Sequence, residues 1–237
     1  MSRARFLIVN ADDLGQSSGI NRGIIESFEN GIVTSASLMV RWPAASEAAA
    51  YAREHPELSI GLHLDLGEWA YRNGDWISLY RVVDAGDATE VAEEVSRQLE
   101  TFQKLVGKQP SHIDSHQHVH RSEPVRSALV EEARKLGVPL RLNSVVQYCG
   151  AFYGQMEDGT SLPDHISVEA LTKVLRDLPE GITELACHPA KHLDFDTMYT
   201  FERLQECDVL CDRRIREFVT KEKIRLCSFR EVSRVQQ

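Results

Sequence analysis

Short apolar runs alternate with amphipathic stretches along this chain, the pattern of strands and helices taking turns. Strands are predicted at 5–10 (RFLIVN), 33–40 (VTSASLMV), 58–64 (LSIGLHL), 111–116 (SHIDSH), 138–143 (VPLRLN), 183–188 (TELACH) and 224–229 (IRLCSF). Helical periodicity covers 19–30, 43–54, 89–106, 122–136, 167–178 and 201–221. Gly31, Gly107 and Gly137 each follow an amphipathic run, where a helix C-cap belongs; Pro43 and Pro124 fall where a first helical turn tolerates a missing amide hydrogen. Alternation of this kind predicts an α/β domain with a parallel sheet. The stretches 66–88 and 144–166 read as long loops, which in a compact domain serve as lids or binding loops.

Parallel strands gather their carboxyl ends on one rim, where such folds place their chemistry. The first strand ends in Asn10, Asp12 and Asp13, the third in His63, and the fourth in Asp114, His116 and His118. Arg141 closes the fifth and His188 the sixth. Because side chains alternate along a strand, His112, Asp114, His116 and His118 share one face if the fourth strand runs that far. Two adjacent aspartates at a strand end repel unless a cation or a shared proton offsets them.

Composition narrows the partners. A chain of 237 residues fits a single domain, 1–237, and its net charge of -9 argues against nucleic acid and anionic membrane surfaces. The amino-terminal apolar run stops within about five residues, short of the roughly seven to fifteen of a signal peptide, and no stretch approaches a membrane span. The cytoplasm is therefore the expected compartment. Five cysteines with no CxxC spacing are expected to be reduced thiols rather than a disulfide framework. A homodimer is the default expectation for oligomeric state.

One carboxylate and two imidazoles from separate strands make a three-ligand site with open positions, suited to a divalent ion. Asp13, His63 and His116 are the expected ligands. Asp12 is then free to take a proton from a water acidified by the ion, His188 to protonate a leaving group, and Arg141 to hold Asp12 ionised. These are the parts of metal-assisted hydrolysis of an amide or ester. His112 and His120 are left without a role, Asp114 is expected to steady a neighbouring imidazole, and His118 is a candidate substrate contact. Two other readings fit some of these residues: a sugar-binding or regulatory protein without catalysis, and a non-haem iron oxygenase. The second usually comes with an antiparallel jelly roll, which this alternating pattern does not predict.

The stretches LIVNADDLG, NRGIIESFENGIVTSASLMV, IGLHL, HIDSHQHVH, AFYG, ACHPA and ECDVL, in that order from residue 7 to 210, resemble the YdjC-like carbohydrate deacetylases, which include chitooligosaccharide deacetylases. The resemblance implies a distorted (β/α) TIM-like barrel with about seven parallel strands, one divalent metal ion (Mg²⁺ or Zn²⁺) and removal of acetyl from an N-acetylated amino sugar or oligosaccharide such as a chitooligosaccharide. It implies the same metal ligands, Asp13, His63 and His116, with Asp12 as base and His188 as acid. Arg141 matches by analogy an arginine of the broader polysaccharide deacetylase group. The AFYG stretch, with Phe152 and Tyr153, is expected to border the substrate pocket. Trp69, Tyr71 and Trp76 are candidates for stacking on sugar rings. Gln117 stands where the family commonly has histidine, and strand alternation turns it away from the metal.

Overall fold

The computed structural model describes residues 4–232. Ten strand residues, Arg5–Leu14 (β1), lie at the centre of a parallel sheet and are buried almost throughout. After α1 (Ser18–Glu29) come β2 (Ser35–Leu38), α2 (Ala45–Glu54) and β3 (Ser59–Leu64). A two-stranded antiparallel hairpin follows, β4 (Gly67–Arg72) and β5 (Asp75–Arg81), then α3 (Ala88–Val106), β6 (Ile113–Ser115) and α4 (Val125–Leu136). The chain continues through β7 (Gln147–Cys149), α5 (Val168–Arg176), β8 (Gly181–Cys187), α6 (Phe201–Cys211), α7 (Arg213–Lys221) and β9 (Arg225–Leu226). The main sheet runs β6-β3-β2-β1-β8-β7, with β9 pairing to β1, and all its pairs are parallel. This curled half-barrel with helices outside it is a distorted TIM-like barrel.

Central strands covered on both sides read as continuous apolar runs; Leu7, Ile8 and Val9 are fully buried, as are Leu62, Leu64 and Leu185 on neighbouring strands. Packing is tight enough to dictate glycine at two positions beside the site. A Cβ at Gly61 would lie 2.4 Å from the His112 ring, and one at Gly23 would lie 2.3 Å from the Ala190 backbone. Among the described residues no helix is long and apolar enough to cross a membrane.

Several expectations need correction. The segment 138–143 is no strand: Leu140 makes a single bridge to Ile113 and the chain turns away at Leu142, where φ is 62°. The seventh sheet strand is β7, inside the expected 144–166 loop. The other expected loop holds the β4-β5 hairpin, whose turn is Asn73-Gly74, with φ of 55° and 88°. Helix 201–221 divides at Asp212, whose side chain accepts from the Arg214 amide and starts α7. Gly107 and Gly137 are left-handed C-caps, whereas α1 is closed by Asn30, one residue before Gly31. Pro124 caps α4, whereas Pro43 lies two residues ahead of α2.

Candidate active site

A regular strand would send Asp12 and Asp13 to opposite faces. Here the β1-β2 register shifts between Ala11 and Leu14, and Asp13 takes a φ of 67°, a region that aspartate tolerates better than bulky residues do. Both carboxylates thereby line one cavity of about 640 Å³ at the carboxyl rim of the sheet.

Their surroundings differ. Asp12 receives a bidentate pair from Arg141, Nη1 to Oδ2 at 2.6 Å and Nη2 to Oδ1 at 2.7 Å, and a hydrogen bond from Asn10 at 2.8 Å. Burial pushes its pKa up, but the guanidinium outweighs burial and holds it below the ordinary carboxylate value. Arg141 also meets Asp114 at 2.9 Å and Glu184 at 2.6 Å, so one buried cation serves three carboxylates. Asp13 gives Oδ2 to Arg203 at 2.7 Å and keeps Oδ1 between His63 Nε2, 3.2 Å away, and His116 Nδ1, 3.0 Å away. Its pKa lies well below the ordinary value, since Arg203 and His116 override the cost of burial.

His63 stands at the end of β3, with Nδ1 2.7 Å from Asp114 Oδ1. A proton on Nδ1 donated to Asp114 would leave the Nε2 lone pair aimed at Asp13. Asp114 is in turn fixed by Ser37, which donates at 2.6 Å. The expected steadying role of Asp114 thus corresponds to a contact in the structure.

The expectation that His112, Asp114, His116 and His118 share a strand face needs correction, because β6 ends at Ser115. Residues His116–Arg121 form a 3₁₀ turn in which Gln117 and His118 have φ of 48° and 53°. His116 is delivered by that turn, and Gln117 swings to the hairpin: its amide accepts from the Trp69 amide at 3.0 Å and donates to the Trp69 carbonyl at 2.7 Å. His118 lines the cavity, 3.1 Å from the Tyr148 hydroxyl. His112 lies behind the site, stacked on Phe229, and His120 bonds Ser115. Burial drops the pKa of His112, His118, His120 and His188 to about 4.

His188, just past β8, has Nε2 3.8 Å from Asp12 Oδ2. Tyr153 packs edge-on to it and stacks on Tyr199, and Phe152, fully buried, completes that wall of the cavity. Four side chains that the sequence pattern does not single out join the site. Arg203 and Glu206 lie three residues apart on α6, Glu184 lies on β8 and Glu68 on the hairpin. Glu206 accepts from the His188 amide and the Tyr199 hydroxyl; burial raises its pKa to about 8 and that of Glu184 to about 7. A charged residue inside an apolar strand, as in TELAC, is the signal that would have found Glu184; no local pattern marks the other three.

Asp13, His63 and His116 each offer one ligand atom, and these atoms lie within 4.8 Å of one another; Asp12, His63 and Asp114 make a second such group. The second already holds a fixed cation, Arg141. The first fits a divalent ion better: one carboxylate oxygen faces two imidazole nitrogens, and His116 Nε2 is buried without a hydrogen-bond partner.

Fold and site together define a TIM-like barrel protein with a carboxylate–imidazole cluster at the carboxyl ends of its strands. The family model described as YdjC-like protein matches residues 6–221, and the chain belongs to that family. A carbohydrate deacetylase of Geobacillus stearothermophilus is 33% identical over 96% of this chain and 98% of its own length. A chitooligosaccharide deacetylase of Klebsiella pneumoniae is 34% identical over 96% of this chain and 99% of its own. A crystal structure of a candidate cellobiose-phosphate cleavage protein from Enterococcus faecalis superposes with a TM-score of 0.74 at 26% identity, covering 97% of this chain and 99% of that one.

Proposed function

We propose that residues 1–237 act as one domain that hydrolyses the acetyl group of an N-acetylated amino sugar or oligosaccharide, such as a chitooligosaccharide, releasing acetate and a free amine. The observation that carries this reading is the adjacency of an arginine-held Asp12, a neutral His188 3.8 Å away and the Asp13, His63 and His116 cluster in one cavity. The names of the YdjC-like relatives support the substrate class.

Asp13, His63 and His116 would hold the ion, Mg²⁺ or Zn²⁺. Once bound, it would polarise the acetyl carbonyl and acidify the attacking water. Asp12, kept ionised and aimed by Arg141 and Asn10, takes the proton from that water as its oxygen attacks the carbonyl carbon. The C–N bond then breaks, and the nitrogen must gain a proton to leave as amine. His188 delivers it, receiving the proton that Asp12 accepted; its low pKa makes its protonated form a strong acid. Glu206 fixes the His188 backbone through its amide, and Phe152, Tyr153 and His118 border the sugar.

The test is acetate release from acetylated amino sugars by chelator-stripped protein with and without added divalent metal. Metal-dependent acetate is expected. Sugar binding with no acetate from any substrate would instead favour a non-catalytic sugar-binding barrel.

A further inference from the structure

A second cavity, of about 190 Å³, opens at the β6 edge of the main sheet, where the chain turns away after Leu140. Its polar lining is His120, Arg121, Arg126, Arg141 and Asn143, with no aspartate or glutamate. In a chain of net charge -9, such a concentration of positive charge runs against the composition. The Arg141 guanidinium is committed to Asp12, Asp114 and Glu184. Arg121 and Arg126 are exposed, and their guanidiniums have no hydrogen bond or ion pair among the described residues.

The histidine supplies an independent observation. His120 is only 3% exposed, and Ser115 Oγ accepts from its backbone amide at 3.1 Å while lying 2.6 Å from its Nδ1. The Ser115 hydroxyl has no other partner among the described residues, so its hydrogen goes to Nδ1 and the neutral ring carries its own hydrogen on Nε2. That Nε2 is buried without a partner. A donor held away from water with nothing to accept from it costs free energy until an acceptor arrives. The wall between this cavity and the one holding Asp12 and Asp13 is the segment 115–120: Ser115 and His118 line the larger cavity, His120 the smaller, and the rings of His118 and His120 meet edge-on with centroids 5.6 Å apart.

Independently of the reaction assigned to the larger cavity, we propose that His120, Arg121, Arg126 and Asn143 form a separate site for a divalent tetrahedral oxyanion, either inorganic phosphate or the phosphoryl group of a small monoester. Each of these side chains can donate: two planar guanidiniums that match phosphate oxygens in pairs, the His120 Nε2–H and the Asn143 amide. Two permanent positive charges balance a dianion, whereas a carboxylate would neutralise only one. A cavity of this volume admits a phosphate group and excludes a polyanion. The bound anion would tie Arg121 to Arg126 and His120, bracing the His116–Arg121 turn that delivers His116.

The experiment is calorimetric titration of the full-length protein, with and without Mg²⁺, with inorganic phosphate, glycerol phosphate and acetate, alongside the double variant Arg121→Gln/Arg126→Gln. As a control for net charge, Arg22→Gln/Arg216→Gln removes two exposed arginines outside the cavity. Phosphate should bind the wild type with or without Mg²⁺ and more tightly than acetate; the double variant should weaken it by about tenfold or more and the control should not. Both arginines are exposed, so melting temperatures without phosphate should match. In histidine side-chain nitrogen spectra, the His120 Nε2–H signal should shift and saturate with the same affinity. Tighter binding of glycerol phosphate assigns the site to a monoester, and tighter binding of phosphate assigns it to the free ion. No phosphate binding, equal loss in the control, binding that needs Mg²⁺ and ignores the double variant, acetate preferred to phosphate, or an unmoved His120 signal overturns the site.

Discussion

Replacing Arg141 by methionine tests the electrostatic design of the site directly. The guanidinium is buried and touches three buried carboxylates, Asp12 at 2.6 and 2.7 Å, Asp114 at 2.9 Å and Glu184 at 2.6 Å. Methionine keeps most of the stem volume, so the loss is electrostatic rather than a cavity. Breaking a buried pair by removing one partner costs about 3–5 kcal/mol; here two ionised partners, Asp12 and Asp114, are stranded, while Glu184, already lifted to about 7, can take up a proton. Against a typical total of about 5–15 kcal/mol, the variant should still fold but lose about 4 kcal/mol, equivalent to a urea midpoint about 1–2 M lower.

The pH dependence separates this account from a simple packing defect. In the wild type the pKa values of Asp12 and Asp114 are below normal, so their contribution is complete above the unfolded value of 3.8 and fades as pH falls through the folded values. Without Arg141, burial and the repulsion between the two carboxylates are opposed only by His63 and the hydrogen bonds from Asn10 and Ser37, so both pKa values shift upward. Their cost is then full at high pH and shrinks as pH falls toward the unfolded value. Urea titrations of chelator-stripped wild type and variant at pH 8 and pH 5 should show a difference of about 4 kcal/mol at pH 8 and a clearly smaller one at pH 5. A difference under about 1 kcal/mol, or one identical at both pH values, would refute the reasoning.

Asp12→Asn should lower turnover by about 10²–10⁴-fold while calorimetry shows divalent-ion affinity unchanged; retained activity would remove Asp12 from the base role. In metal-free protein, interactions with Asp114 and Asp13 outweigh burial and raise His63 to about 10 and His116 to about 9, so both carry protons at pH 7.5. Metal loading should then release about two protons and strengthen as pH rises toward 9, measurable by titration in two buffers of different ionisation enthalpy; no proton release would count against these ligands. Gln117→Ala removes both hydrogen bonds to the Trp69 backbone and should speed amide exchange in β4 with a stability loss of about 1 kcal/mol. Unchanged exchange there would mean that the hairpin is anchored elsewhere.

The parts of the site that were legible in the sequence are those tied to strand periodicity. Apolar runs of five or six residues ending in ADD, GLH or ACH say both that a strand stops and that its end is polar. The barrel rim converts that into proximity. Arg141 came into reach although its predicted strand does not form, because its amide still donates to Ile113 in the neighbouring strand at 3.0 Å. What failed were inferences that carried alternation past a strand's last residue: the 3₁₀ turn after Ser115 reorients Gln117 and His118, and no periodicity encodes a positive φ. The hairpin had its own signal, Asn73-Gly74, whose two positive φ values suit a two-residue turn, but a reading weighted toward parallel strands gives it no place. Arg203 and Glu206 were illegible for a different reason. On a helix of mixed polarity, only the tertiary packing of α6 against the rim shows that these two face inward.

The adjacency of Asp12 and Asp13 can now be understood through charge. The acids buried around the cavity include Asp12, Asp13, Glu68, Asp114, Glu184 and Glu206, and they outnumber the two buried guanidiniums there, Arg141 and Arg203. The excess is relieved in two ways. Glu184 and Glu206, lifted to about 7 and about 8 by burial, hold protons near neutrality. Asp12 has both oxygens on one permanent cation, so its charge is fixed and its geometry cannot drift. Asp13 has only one oxygen so held, and the other faces His63 and His116, whose positive charge can leave as protons. Exchangeable positive charge is what a divalent ion can replace. A bulge of one residue therefore gives neighbouring aspartates different surroundings, one locked beside a guanidinium, as the proposed base requires, and one left with an oxygen between two imidazoles, as the proposed metal ligand requires. Reversing them would fail on geometry, because Arg141 approaches from the β6 and β8 side, where Asp114 and Glu184 already hold it in place.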